Sequence, residues 1–257
     1  MDAAQYPLMR AQEERHWWYR GNRAILRRLL MRWRPARCER RLDAGCGTGQ
    51  NLTELADLGT PIGLDFAEAA LAHCRQRGLT HLVRGSVTEL PFATGSLDVV
   101  TCLEVLYHRA IPDWQSAIAE LARVVRPGGL LVLREPAFAA LRGSHDTVVH
   151  GSRRFRRREL RRAVEQSGLE ILRCSYQNLV TFAPALILRS WQRFRGTAAA
   201  HPEADFDHGS GPLGAVFAQW LAFEGFLLQY LRLPVGSSVL CVARKPTNAQ
   251  AGPDSSG

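Results

Sequence analysis

One stretch constrains this chain more than any other. In "RRLDAGCGTGQNLTEL", Arg40 to Leu55, an apolar β-like run ends in an acid, Asp43, and passes through Gly45, Gly47 and Gly49 into a helical run. Glycines at that junction let the backbone turn tightly and approach a ligand with no Cβ in the way. The free N–H groups that open the next helix favour electronegative ligand atoms. A second acid, Asp65, ends the next β-like run in "PIGLD". A strand-end acid at that place suits the two hydroxyls of a ribose. The pattern is an acid followed by GxGxG, whereas a dinucleotide dehydrogenase prefers GxGxxG.

The rest of the chain supports an alternating architecture. "HLVRGS", "LDVVTCLEV" and "LLVLREP" read as strands, and "AEAALAHCRQRG" and "DWQSAIAELARVVRPGG" read as helices, the second stopping at its Pro-Gly-Gly. Two later strands, "LEILRCSYQ" and "SSVLCVARK", flank a long apolar stretch. The expected fold is α/β: a Rossmann-like, doubly wound, seven-stranded, mostly parallel sheet with helices on both faces. The expected divisions are an N-terminal helix over 1–36 (helical from about Met9 to Arg34, ended by Pro35), a main domain over 37–245, a helical insertion at 178–234, and a disordered polar tail over 246–257.

Composition narrows the setting. The 257 residues carry a formal charge of +9, almost wholly from arginine, since Lys245 is the single lysine. Such a surface favours anionic partners. Six cysteines lie far apart with no CxxC pair, which predicts free thiols in a reducing cytoplasm and neither a disulfide framework nor a metal site. The first thirty residues mix acids, bases and tryptophans, so no signal peptide is expected, and no uncharged run reaches the roughly 18 residues of a spanning helix.

"LDAGCGTG", Asp65, "GSVTELPF", "LDVVTCLEVLYH" and "LARVVRPGGLLVL" together resemble the successive motifs of class I S-adenosylmethionine-dependent methyltransferases, in particular the small-molecule group that includes the ubiquinone and menaquinone enzymes. The resemblance runs from about Arg41 to Leu133. It implies S-adenosyl-L-methionine as cofactor, a cytoplasmic enzyme and a small-molecule substrate. It also implies that Asp43 and the Gly45, Cys46, Gly47, Gly49 loop hold the methionine end. Asp65 would bind the ribose with Phe66 near the adenine, Ser86 and Val87 would flank the adenine, and Leu103 would face the methionine portion. Many relatives carry Asp where this chain has Ser86. "HWWYRGNRAIL" resembles the N-terminal helix of a bacterial subgroup. This implies that the Trp17–Trp18 pair belongs to a lid over the cofactor, with Trp18 as a contact and Arg20 or Arg23 meeting a carboxylate.

Methyl transfer to a hydroxyl gains from a general base. Three candidates stand out. His108 follows the fourth strand. His150 lies with His145 and Asp146 in the loop after the fifth, on the edge where ligands bind in this architecture. Glu224 sits on an apolar helical stripe with Phe217 and Leu228, where a carboxylate needs a partner: an arginine, or the substrate. Arg153 and Arg154, before an Arg-rich helix, are placed to grip an anionic group. The apolar insertion suggests an apolar or lipid-like acceptor, or shallow contact with a membrane surface. The expected reaction is methyl transfer to a small molecule, with oxygen as the acceptor atom. The alternatives are a non-methylating step such as cyclisation on the same fold, and a nucleic-acid methyltransferase or binder, against which the apolar insertion argues.

Overall fold

A computed structural model describes residues 5–143, 146, 150–194 and 211–247. His145, the first four residues of the expected lid, part of the insertion (195–210) and most of the expected tail (248–257) lie outside the described residues.

Seven strands form one sheet: β1 Arg40–Ala44, β2 Thr60–Asp65, β3 Leu82–Arg84, β4 Leu97–Leu103, β5 Val125–Pro136, β6 Glu170–Gln177 and β7 Ser238–Arg244. Their order is β3-β2-β1-β4-β5-β7-β6. β1 to β5 pair in parallel, and β7 runs antiparallel to both β5 and β6. The mostly parallel sheet expected from the alternation is present. Strand order reverses between β1 and β4, which opens a crevice at their carboxyl ends. All seven residues of β4 are buried, as in a strand covered on both faces.

The helices are α1 Gln5–Gln12, α2 Trp17–Trp33, α3 Gln50–Glu54, α4 Glu68–Gln76, α5 Trp114–Val124, α6 Arg157–Gln166, α7 Leu179–Phe194 and α8 Pro212–Leu227. On one face, α5 and α6 pack Ile118, Leu121, Leu160 and Val164 against Leu42, Val100 and Leu131. On the other, α2 packs Ile25, Leu26, Leu29 and Leu30 against Val99, Leu130, Val132 and Val242. α8 crosses α2 closely, because two glycines remove the side chains at the contact. A Cβ on Gly21 would lie 2.5 Å from Leu221 Cδ1, and one on Gly225 would lie 2.9 Å from Ile25 Cα.

Three local expectations change. The single helix expected from Met9 to Arg34 is two helices with a break at 13–16, where His16 Nδ1 caps α2 by accepting the Trp18 N–H at 3.2 Å. α2 is accordingly a core helix of the sheet. The helix expected over Gln50–Gly59 is the short α3 followed by a 3₁₀ turn at Ala56–Leu58. Finally, the Pro-Gly-Gly read as a helix stop lies inside β5, because the chain is already extended at Val125.

Candidate functional site

The glycine loop between β1 and α3 needs its glycines. Gly45, Gly47 and Gly49 have φ of 84°, 54° and 85°, a region that side chains disfavour. A Cβ on Gly45 would clash with Val105 Cγ2, just beyond β4. The Gly45 and Cys46 N–H groups donate to Leu64 O at 2.7 and 2.9 Å, tying the loop to β2. Asp65, at the tip of β2, accepts the Gly47 N–H at 2.9 Å through Oδ2 and the Ala67 N–H at 2.9 Å through Oδ1. Burial raises its pKa, and those two donors oppose the rise.

The other cofactor candidates occupy different depths. Asp43 is 1% exposed. It accepts Thr101 Oγ1–H at 2.7 Å and faces Asn51 Nδ2 at 3.5 Å, so it ties β1 to β4 and α3. Burial raises its pKa as well. Cys46 is buried with its sulfur 3.9 Å from that of Cys74. Phe66, directly after Asp65, is 74% exposed. Ser86 is half-buried, with its hydroxyl 2.7 Å from that of Thr88 in a local turn. Val87 and Leu103 are core residues.

A clasp that the sequence did not reveal lies over this loop. Buried Glu13, in the break before α2, accepts hydrogen bonds from Thr48 Oγ1 and from the Arg77 guanidinium. Arg77 Nε also donates to Thr48 O at 2.9 Å, and Nη1 to Glu14 at 3.0 Å. Met9 Cε lies 2.8 Å from where a Gly47 Cβ would be. The buried Tyr6 phenol is pushed up to about 12, by burial first and then by Asp65. α1 thus lies against the glycine loop, held by an ion pair between residues 64 positions apart.

A second group gathers at the tips of β4 and β5. Glu104 follows β4 at φ 59° and accepts from Arg134 Nε at 3.1 Å. The Arg134 guanidinium lies 5.3 Å from the centre of the Trp18 ring, and Trp18 meets Tyr19 edge-on at 5.1 Å. Burial raises the pKa of Glu104 and, with Glu13 and Glu104 adding, that of Tyr19 to about 12. The tryptophan pair is therefore split. Trp18 turns toward Arg134, and Trp17 turns away to meet Phe217 of α8 at 5.3 Å.

The loop after β4 is held from below by Glu135. This carboxylate is fully buried and accepts the N–H groups of Val105, Leu106 and Tyr107 at 3.2, 2.9 and 3.1 Å. The same loop brings His108 to His150, with ring centres 5.8 Å apart and planes nearly perpendicular. His108 Nδ1 accepts the Ala110 N–H at 3.1 Å, which leaves Nε2 as the protonated, donating nitrogen of the neutral ring. Burial pushes the His108 pKa down to about 4, with His150 and Arg109 adding.

Three further candidates have other partners. Arg154 binds Asp146 with both arms, at 2.8 and 3.0 Å, and donates to Ala137 O at 3.1 Å, so it fastens the loop after β5. Arg153 stacks over Trp114 and Phe155. Arg23 pairs with Glu54 at 2.7 Å. Glu224 is paired with neither an arginine nor an open site. It is 2% exposed and accepts the backbone N–H groups of Asn178 and Leu179, which opens α7. A carboxylate at a helix start satisfies N–H groups that have no partner within the helix. A cavity of about 610 Å³ around Cys38, Gly59, Thr60 and His81 lies at the amino ends of the strands, away from this chemistry.

Residues 42–133 match the family described as "Methyltransferase domain". A Mycolicibacterium smegmatis protein named "Probable S-adenosylmethionine-dependent methyltransferase" is 33% identical over 164 residues, 62% of this chain and 61% of its own. The ubiquinone biosynthesis O-methyltransferase of Methylococcus capsulatus is 39% identical over 95 residues, 34% of this chain and 39% of its own. The chain thus spans less than two thirds of these curated relatives. Among solved structures, a Haloferax volcanii protein from a complex with the Trm112 methyltransferase activator aligns with a TM-score of 0.61 at 20% identity, covering 95% of this chain and 97% of its own. The cyclase SpnF aligns with a TM-score of 0.54 at 22% identity, covering 88% and 82%. At those identities the two structures share the fold.

Proposed function

We infer the activity from one premise: residues 42–133 are a class I S-adenosylmethionine-dependent methyltransferase domain. The chain transfers a methyl group to an oxygen of a small molecule of apolar or anionic character. The observation that carries this reading is the convergence of Asp65 and the Gly45–Gly49 loop at the crevice where strand order reverses.

The residues fit the cofactor. Gly45 and Gly47 present bare backbone packed against Val105 and Met9, where a Cβ at either position would clash, and Asp65 supplies an acceptor for a pair of hydroxyls beside exposed Phe66. When bound, S-adenosylmethionine supplies an electrophilic methyl group on a sulfonium. The chain's own residues do the rest. Tyr6 and Met9 of α1 exclude water from the loop. Trp18, Arg134 and Glu104 offer an aromatic face, a cation and a carboxylate at the tips of β4 and β5. Arg134 is already neutralised by Glu104, so it orients an anionic acceptor more than it attracts one. His150 accepts the acceptor's proton, and His108, whose Nδ1 is occupied, donates through Nε2. Glu224 serves as a structural anchor for α7.

The fold also hosts a protein named as a cyclase, so the deciding test is transfer of a labelled methyl group. Incubation with methyl-labelled cofactor and a bacterial small-molecule extract should yield a product heavier by one methyl group. Cofactor binding with an unlabelled, rearranged product would instead support cyclisation. Once an acceptor is in hand, His150→Gln should lower kcat by roughly 10²–10⁴-fold with cofactor affinity unchanged. A near-normal kcat would mean that the acceptor arrives ionised and needs no base.

A further inference from the structure

α8 carries a single charge, Glu224, and that carboxylate is turned inward to the start of α7. The inner side of the helix packs on α2. The outer side is apolar as well, apart from Gln219. Val216, Trp220, Phe223 and Phe226 are 66%, 47%, 50% and 44% exposed. Ring contacts at 6.1, 6.4 and 5.4 Å run from Trp220 through Phe223 and Phe226 to Tyr230. A helix that faces water carries polar residues on its outer side, and a contiguous exposed apolar patch marks an interaction surface.

The rim of the patch identifies its partner. Arg32 lies 5.5 Å over the Tyr230 ring. Arg28, one turn earlier on α2, lies alongside α8, with its Cδ 3.3 Å from where a Gly225 Cβ would be. Arg232 follows directly after Leu231, itself exposed. None of Arg28, Arg32 or Arg232 makes an ion pair among the described residues. A second copy of the chain would bring two such cationic rims together. A nucleic acid would satisfy the arginines but leave Val216, Leu231 and the exposed Met31 against water. An anionic bilayer interface accepts both: rings and aliphatic groups enter the acyl boundary while guanidinium groups reach lipid phosphates. α8, at 16 residues, is about 24 Å long, short of the roughly 30 Å of a hydrocarbon core. No helix among the described residues is long and apolar enough to cross a membrane.

The geometry points to docking of this α8 face, with its Arg28, Arg32 and Arg232 rim, on the surface of an anionic lipid bilayer. The inference stands apart from the methyl-transfer reading, because none of these residues belongs to the crevice. The test is co-sedimentation of the full chain with vesicles of phosphatidylcholine alone and of phosphatidylcholine containing phosphatidylglycerol. Partitioning should be at least about 10-fold stronger on the anionic vesicles and should weaken with salt, with a blue shift in tryptophan emission. Trp220→Ser with Phe223→Ser should reduce it at least 10-fold. Arg28→Gln with Arg32→Gln should remove the anionic preference while the apolar face stays intact. Melting temperature and cofactor binding report folding of each variant, and the arginine pair gives an answer even if the aromatic pair fails to fold. Folded wild-type chain that ignores anionic vesicles, or partitioning that survives both variants, overturns the inference. So does a dimer in light scattering that Trp220→Ser dissolves, which would assign the face to a second copy.

Discussion

The two sides of the crevice are built differently. The β1–β3 side presents backbone to the crevice, three glycines at positive φ and a strand-end acid that reaches only main-chain N–H groups, with the Glu13–Thr48–Arg77 clasp lying over it. The β4–β5 side is made of side chains recruited from distant positions: Trp18 and Tyr19 from α2, Glu104 from just past β4, Arg134 and Glu135 from β5, and His108 and His150 from two loops. A backbone site has little freedom to change. A side-chain site can be rebuilt one residue at a time while the sheet stays as it is. On the proposed function, one half would hold the cofactor and the other the acceptor.

The sharpest way to break this comparison is Glu135→Ala. It leaves three N–H groups, two of them buried, without an acceptor, and the unsatisfied donors should cost about 3 kcal/mol or more. For a chain of this size that lowers the melting temperature by about 6–12 °C. Activity per folded molecule should fall, while cofactor affinity below the melting transition should hold. If affinity falls in parallel, the two sides are one unit.

Asp65→Ala addresses the opposite side. Loss of a charged acceptor should cost roughly 1.5–3 kcal/mol of cofactor binding, about 10- to 150-fold in Kd by calorimetry. The melting temperature without ligand should move little. Unchanged binding in a folded variant would remove Asp65 from the cofactor site.

His108 provides a pH test of the side-chain half. Its folded pKa of about 4 lies below its ordinary 6.5, so between those values the unfolded chain binds the proton more readily. The stability tied to neutral His108 is complete above pH 6.5 and is lost as pH falls toward 4. His108→Gln should flatten the fall in melting temperature over that window relative to wild type. Parallel curves would mean that the ring titrates normally.

The smallest effect is expected from Thr48→Val, which deletes one hydroxyl bonded to the Glu13 carboxylate at about 1.5 kcal/mol. Stopped-flow measurement should show cofactor leaving a few-fold faster, with the melting temperature lowered by about 3–6 °C. An unaltered off-rate would mean that α1 opens without parting from Thr48.

Much of the backbone half was legible in the sequence, because glycine spacing and strand-end acids are local signals. The seven strands and their alternation were legible for the same reason. The other half was not. Glu104 stands in the quoted run "LDVVTCLEVLYH", but nothing local shows that its φ is positive or that Arg134 meets it. Charged Arg134 and Glu135 inside an otherwise apolar strand were the available signal. The Glu13–Arg77 pair gave none, since it joins residues 64 positions apart. Glu224 was recognisable as a carboxylate in need of a partner. Its partner proved to be backbone because Asn178, at φ 62°, turns two N–H groups toward it, which residue types do not encode.

The clasp also bears on time. Glu13 and Arg77 are both nearly shut off from water, so salt does little to loosen them. On the proposed function, a cofactor seated under α1 would leave at the pace at which that latch opens, and the spent cofactor would have to leave as well as the fresh one enter. Where the chemical step is quick, the eight-residue helix α1 would become the clock of the cycle. The acceptor's chemistry would then be invisible in the steady-state rate, and a single turnover would be needed to see it.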